Sequence, residues 1–209
     1  MSAEHTTLPA KEALDRLKAG NLRYVQNVRS VDSMLSHSRR ENLLQPQTPF
    51  AIVLGCSDSR APAEIVFDQG LGDLFVIRVA GNIVAPSQVG SVEFAAERFG
   101  TRLVVVMGHT NCGAIQAALE ATAGDPDPAL RNLMSIVNRV RPNIQTLLAT
   151  DLARDPARLA REAMRANVRA SVSHLRHGSE ILERLADSGG LAVVGAELDL
   201  ATGEVLFFD

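Results

Sequence analysis

Two short stretches hold the residues with chemistry to offer. "GCSDSRAP" over 55–62 and "GHTNCGA" over 108–114 contain both cysteines of the chain, Cys56 and Cys112, together with His109. Two thiolates and one imidazole are a donor set that suits a tetrahedral zinc ion, and three protein ligands leave a fourth position open, as a catalytic site needs. A purely structural zinc would close all four positions. The chain has no third cysteine for that, and His5, His37, His174 and His177 lie far from these stretches in sequence. Taken singly, each cysteine reads more readily as a small buried hydrophobe. The pairing of Cys56-x-Asp58-x-Arg60 with His109-x-x-Cys112 favours the metal. The two cysteines do not form a C-x-x-C pair, which argues against a thiol redox protein.

Such a set has to be carried by elements that bring 56 and 109–112 together. "FAIVLG" (50–55) and "RLVVVMGH" (102–109) are continuous apolar runs without alternation, the pattern of strands covered on both faces of a parallel sheet. Cys56 follows the first run and His109 closes the second. All three ligand candidates therefore fall at carboxyl ends of strands, the edge where open α/β sheets bind ligands. "DLFVIRVAG" (73–81) reads as a third strand, and "GGLAVVGAELDLATGEVLFF" (189–208) as two more joined by a Thr202-Gly203 turn. "PSQVGSVEFAAERFG" (86–100) is a helix stopped by Gly100, and "NCGAIQAALEATAG" (111–124) is another. Asp127-Pro128 and Asp155-Pro156 each pair a capping residue with proline at the first helical position, which predicts two further helix starts. Near the N-terminus, Ala13, Leu14, Leu17, Leu22 and Val25 fall at helical spacing, and the polar stretch from Arg29 to Gln47 reads as a loop.

The fold class is α/β: a mainly parallel central sheet flanked by helices, with an N-terminal helical arm and C-terminal strands. A single domain spans 1–209, with the arm and loop over 1–47 and the α/β core over 48–209. Acidic side chains number 24 and basic ones 21, so no basic excess points to nucleic acid or an anionic membrane. No apolar run approaches the roughly 18–20 residues of a membrane span, and the start carries no basic-then-apolar leader pattern, so the expectation is a cytoplasmic protein. Arg154, Arg158, Arg161, Arg165 and Arg169 step along one helical face, read here as a solvated or dimer-contacting face. Opposite them lies an apolar stripe of Leu159, Val168, Val172 and Leu175. His174 and His177 read as surface residues of the same helix.

The sequence resembles the β-class carbonic anhydrases from about residue 10 to the end. "PFAIVLGCSDSRAPAEIVFDQGLGDLFVIRVAGNIV" and "GSVEFAAERFGTRLVVVMGHTNCGAI" are similar to the two central blocks of that family, and "EAMRANVRASVSHL" with "GLAVVGAELDLATGEVLFF" to its C-terminal segments. The resemblance implies one Zn2+ per chain on Cys56, His109 and Cys112, with Asp58 either a fourth ligand or a partner of the metal-bound water. It implies hydration of CO2 to bicarbonate and a proton by a zinc-bound hydroxide. Asp58 and Arg60 would form a catalytic dyad, the arginine fork holding the carboxylate away from the metal. Gly113, at a helix start, would offer a backbone N–H to bicarbonate. The resemblance further implies an apolar substrate cleft shared across a homodimer or tetramer and lined by Gln47, Phe75, Ala80 and Phe94. Phe94 stands where many members have tyrosine. Hydrolysis of carbon disulfide or carbonyl sulfide on the same scaffold, or a non-catalytic zinc-binding interaction protein, are the alternative readings.

Some members are regulated by bicarbonate in a pocket built from a tryptophan three residues before the first zinc cysteine, an arginine on the second strand and a tyrosine near the C-terminus. Here those positions offer Val53, Arg78 and no tyrosine, since the only one is Tyr24. A buried anion held by one donor group keeps little of its hydration energy, so this pocket is not expected to work.

Overall fold

The computed structural model describes residues 8–28, 44, 46–121 and 131–208. Helix α1 (Ala10–Val25) leads into β1 (Ala51–Gly55), the short α2 (Ala63–Val66) and β2 (Leu74–Arg78). Next come α3 (Pro86–Arg98), β3 (Leu103–His109), α4 (Gly113–Glu120) and α5 (Arg131–Ile144). The long α6 (Pro156–His177), α7 (Glu180–Ser188), β4 (Ala192–Leu198) and β5 (Val205–Phe208) complete the order. The five strands form one sheet in the order β2-β1-β3-β4-β5; the first four run parallel and β5 is antiparallel to β4. Every residue of β1 and β3 is buried, as two-sided cover of a parallel pair requires.

Alternation along the strands divides the core. Ile52, Leu54, Val104 and Val106 face a layer that includes Val92, Val140, Met164 and Val168 from α3, α5 and α6. Ala51, Val53, Val105 and Met107 face α1 and α2, where Leu17, Val66 and Phe67 fill the space. The helix boundaries follow local chemistry. The Asp155 carboxylate accepts the Arg158 amide at 3.1 Å with Pro156 opening α6, and the Ser179 hydroxyl accepts the Leu182 amide at 3.2 Å to open α7. The expected start at Asp127-Pro128, and most of the loop expected over Arg29 to Gln47, lie outside the described residues.

One register differs from the periodicity. Leu22 of α1 is 56% exposed, and the buried face runs through Ala13, Leu17, Gly20 and Asn21. The cause is a close backbone approach: a Cβ on Gly20 would fall 1.8 Å from the Phe67 carbonyl oxygen. That contact turns Asn21 inward. Its amide donates to the carbonyls of Val66 (3.1 Å) and Gly203 (2.8 Å), and its oxygen accepts the Val205 amide (2.9 Å). Residues Ala10–Val25 therefore pack on the chain's own sheet. Gly20→Ala should lower the unfolding free energy by about 1–3 kcal/mol or more, because a backbone carbonyl cannot step aside as a side-chain tip can. Urea titration of the variant against the parent protein reads this directly.

Candidate metal centre

The site grows out of two neighbouring strand ends. In the β1–β3 pair Gly55 lies beside Met107, so the chain leaves β1 into Cys56 at the level where β3 closes with His109. Cys112 then stands as the residue before α4. The Cys56 and Cys112 Sγ atoms are 4.0 Å apart, and both sulfurs and a His109 ring nitrogen lie within 4.8 Å of one another. All three residues are buried.

Orientation is settled by what surrounds each donor. His109 Nδ1 sits 2.8 Å from the Thr110 carbonyl, which fixes that nitrogen as the N–H donor and leaves the Nε2 lone pair free. Nε2 is buried and has no hydrogen-bond partner, a position that a metal ion satisfies. Two zinc–sulfur bonds of about 2.3 Å at a tetrahedral angle would separate the sulfurs by about 3.8 Å. The observed spacing fits. The Cys112 thiol, hydrogen-bonded to Cys56, holds the Cys56 thiol well below the ordinary thiol range despite burial, with His109 and the amides of Gly81 and Asp58 assisting. Cys112 is pushed up in return by Cys56 and by burial. The pocket therefore favours one thiolate before any metal binds.

Asp58 lies beside this set, with Oδ2 3.8 Å from His109 Nε2, but its carboxylate is engaged elsewhere. Arg60 Nε donates to Oδ1 at 2.9 Å and Nη2 to Oδ2 at 2.8 Å, and the Arg60 amide adds a third bond to Oδ1 at 3.0 Å. The Arg60 guanidinium holds the Asp58 carboxyl well below the usual carboxylate range, so it stays ionised through neutral and mildly acidic pH. Arg60 Nη2 also reaches the Asn111 carbonyl at 3.3 Å, tying the two loops together.

The family model described as carbonic anhydrase matches residues 51–205. The chain belongs to the β-carbonic anhydrase family. A carbonic anhydrase of Mycolicibacterium smegmatis is 38% identical, covering 90% of this chain and 88% of that one. Carbonic anhydrase 2 of Mycobacterium tuberculosis is 39% identical over 92% of this chain and 90% of its own length. Among solved structures, a tetrameric β-carbonic anhydrase of Sordaria macrospora superposes with a TM-score of 0.69 at 25% identity, covering 81% of this chain and 85% of that one. The β-carbonic anhydrase CcaA superposes with a TM-score of 0.73 at 24% identity over 94% of this chain and 95% of that one, a likeness of fold.

The other residues singled out for this β-carbonic anhydrase fall in three places. Gly113 is exposed at the start of α4 and lines a cavity of about 390 Å³ whose walls include His109, Cys112, Gln116, Arg161 and Met164. Phe75 and Phe94 lie with Phe99 in an aromatic trio, ring centroids 5.4–6.3 Å apart, with Phe94 52% exposed and Ala80 half-buried. Gln47 is exposed and precedes the amino end of β1. Five strand residues at about 3.3 Å each separate it from the Cys56 end, so it does not join the donors of its own chain.

Two sets of arginines have partners that the sequence does not announce. Arg78 donates from Nε to the Cys56 carbonyl at 3.0 Å and from Nη2 to the Asp58 carbonyl at 2.5 Å, so it clamps the ligand loop. The arginine face of α6 is solvated only in part: Arg161 and Arg165 turn onto the buried Glu197 of β4 at 2.6 and 2.5 Å. Arg169 stacks over the Phe208 ring at 5.2 Å. Glu197 carried no signal of its own, being one acidic residue in an apolar strand. With Arg78 engaged by two carbonyls, bicarbonate should inhibit CO2 hydration as a simple competing product. Initial rates at constant ionic strength should show no cooperativity, and Arg78→Ala should lower the rate without changing the shape of the bicarbonate curve.

Proposed function

We propose that this β-carbonic anhydrase is a zinc enzyme converting CO2 and water to bicarbonate and a proton, working as a homodimer or larger assembly with one zinc in each chain. The observation that carries the reading is the convergence of Cys56, His109 and Cys112 beside a carboxylate locked by Arg60. Cys56, His109 and Cys112 would hold the zinc, which when bound would supply the Lewis acidity that activates water near neutral pH. Asp58, ionised and beside His109, accepts a hydrogen bond from the attacking water and orients it toward the CO2 carbon. Arg60 keeps that carboxylate ionised and held in a two-bond pair. The Gly113 amide, at the free N-terminus of α4, meets the oxygen on which charge develops.

Phe75, Ala80 and Phe94 form the apolar wall that accepts an uncharged linear substrate. Support for a shared cleft comes from Phe94, a large ring left half in solvent, and from Gln47, which sits at the wrong end of β1 to serve its own metal centre. A second subunit supplies what is missing, in line with the tetramer named for the Sordaria macrospora protein. Among the described residues no helix is long and apolar enough to cross a membrane.

Purified protein should carry about one zinc per chain and hydrate CO2 in a stopped-flow assay. Cys112→Ser should lose metal and activity together, because a neutral hydroxyl replaces a thiolate. Asp58→Asn should keep the metal and lose on the order of 100-fold in kcat. Full activity in metal-free protein would overturn the assignment. Light scattering at assay concentration should find the activity only in dimers or larger species; an active monomer refutes the shared cleft.

A further inference from the structure

The turn after β2 connects the metal centre to a buried polar network on α6. Ala80–Asn82 forms a single tight turn in which Gly81 adopts φ 69° and ψ 19°. That region is open to glycine and costly for other residues, and a Cβ there would also sit 3.0 Å from the Ala114 Cβ at the start of α4. Gly81 is fixed on both sides. Its N–H donates to Cys56 Sγ at 3.3 Å, while its carbonyl accepts from Asn167 Nδ2 at 2.8 Å.

Asn167 is an odd choice for its position. It lies mid-way along α6, 1% exposed, where an apolar residue would pack without a polar group to satisfy. Both ends of its amide are used: Nδ2 on Gly81, and Oδ1 as acceptor for Asn143 Nδ2 of α5 at 3.2 Å. One helical turn on, the Ser171 hydroxyl donates to the next carbonyl of the turn, Asn82 O, at 3.2 Å. The same face of α6 therefore grips two successive carbonyls of a segment whose conformation glycine leaves soft.

We propose that Asn167 is a positioning residue for the metal centre: by holding the Gly81 carbonyl it aims the Gly81 N–H at the Cys56 sulfur. An N–H directed at a metal-bound thiolate would draw electron density from the sulfur and fix its direction. Gly81 is the coupling element, because without Asn167 its two dihedral angles are free to turn the N–H away. The inference rests on the metal reading above.

The probe is cobalt(II) in place of zinc, read by its near-ultraviolet sulfur-to-cobalt charge-transfer band. Losing the N–H···S bond makes the sulfur more electron-rich and moves the band to longer wavelength. Asn167→Ala should show that red shift, with about tenfold weaker metal retention against a competing chelator. If circular dichroism shows that Asn167→Ala does not hold its fold, the band is read on Asn143→Ala, which loosens the same amide from a half-buried position and should shift the band less, in the same direction. An unmoved band in the folded variant that is read overturns the proposal, even where retention falls, since a purely structural clip would leave the sulfur untouched. Parent protein that takes up no cobalt would instead count against the metal reading itself.

Discussion

The site depends on the parallel adjacency of β1 and β3. Had the two strands run antiparallel, Cys56 and His109 would leave the sheet at opposite edges. Parallel and in register, with Gly55 beside Met107, they deliver one thiol and one imidazole to the same edge. The tight turn after β3 then places Cys112 at the start of α4, where the helix's free amides favour a negative sulfur. Burial of both strands on both faces is what makes this edge rigid: a shift of register by one residue would send Ile52 and Leu54 to the wrong core.

Around that edge the protein uses charge to immobilise backbone. Arg60 and Arg78 approach the Cys56–Arg60 loop from different directions, one gripping the Asp58 side chain and the Asn111 carbonyl, the other the Cys56 and Asp58 carbonyls. Both guanidinium groups keep part of their surface in water, so the desolvation cost is modest and the gain is geometric. The Arg161–Glu197–Arg165 group does the same on a larger scale. It fastens α6 to β4 beside the cavity wall, with the carboxylate fully buried and both of its oxygens engaged. A carboxylate left in that position without its arginines would be a buried, unpaired charge.

Most of this was written in local pattern. The unbroken apolar runs marked the strands, Asp155-Pro156 and Gly100 marked helix ends, and two thiols with a histidine at matching strand ends marked the donor set. What escaped has a common physical cause. Leu22 was placed inward because periodicity registers hydrophobicity and is blind to the close approach of Gly20 to a carbonyl 47 positions later. Arg161 and Arg165 were read as part of a solvated or dimer-contacting face because their partner, Glu197, is more than 30 positions away and announces nothing about its burial. Gly81 and Asn167 are separated by 86 positions, and their link passes through a backbone carbonyl, which no side-chain pattern encodes. Local order can be read from spacing; pairings across the fold need the third dimension.

The anchoring of α1 has an optical consequence. The chain has no tryptophan, and its single tyrosine, Tyr24, lies in α1 with its ring against the turn of the β4–β5 hairpin, so close that a methyl group on Gly203 would fall 2.8 Å from it. Tyrosine emission therefore comes from one seam, where the first helix meets the last two strands, and the metal edge contributes nothing to it. Phenylalanine aside, the molecule is a single-fluorophore reporter whose signal follows undocking of its N-terminal helix and is blind to events among the sulfurs.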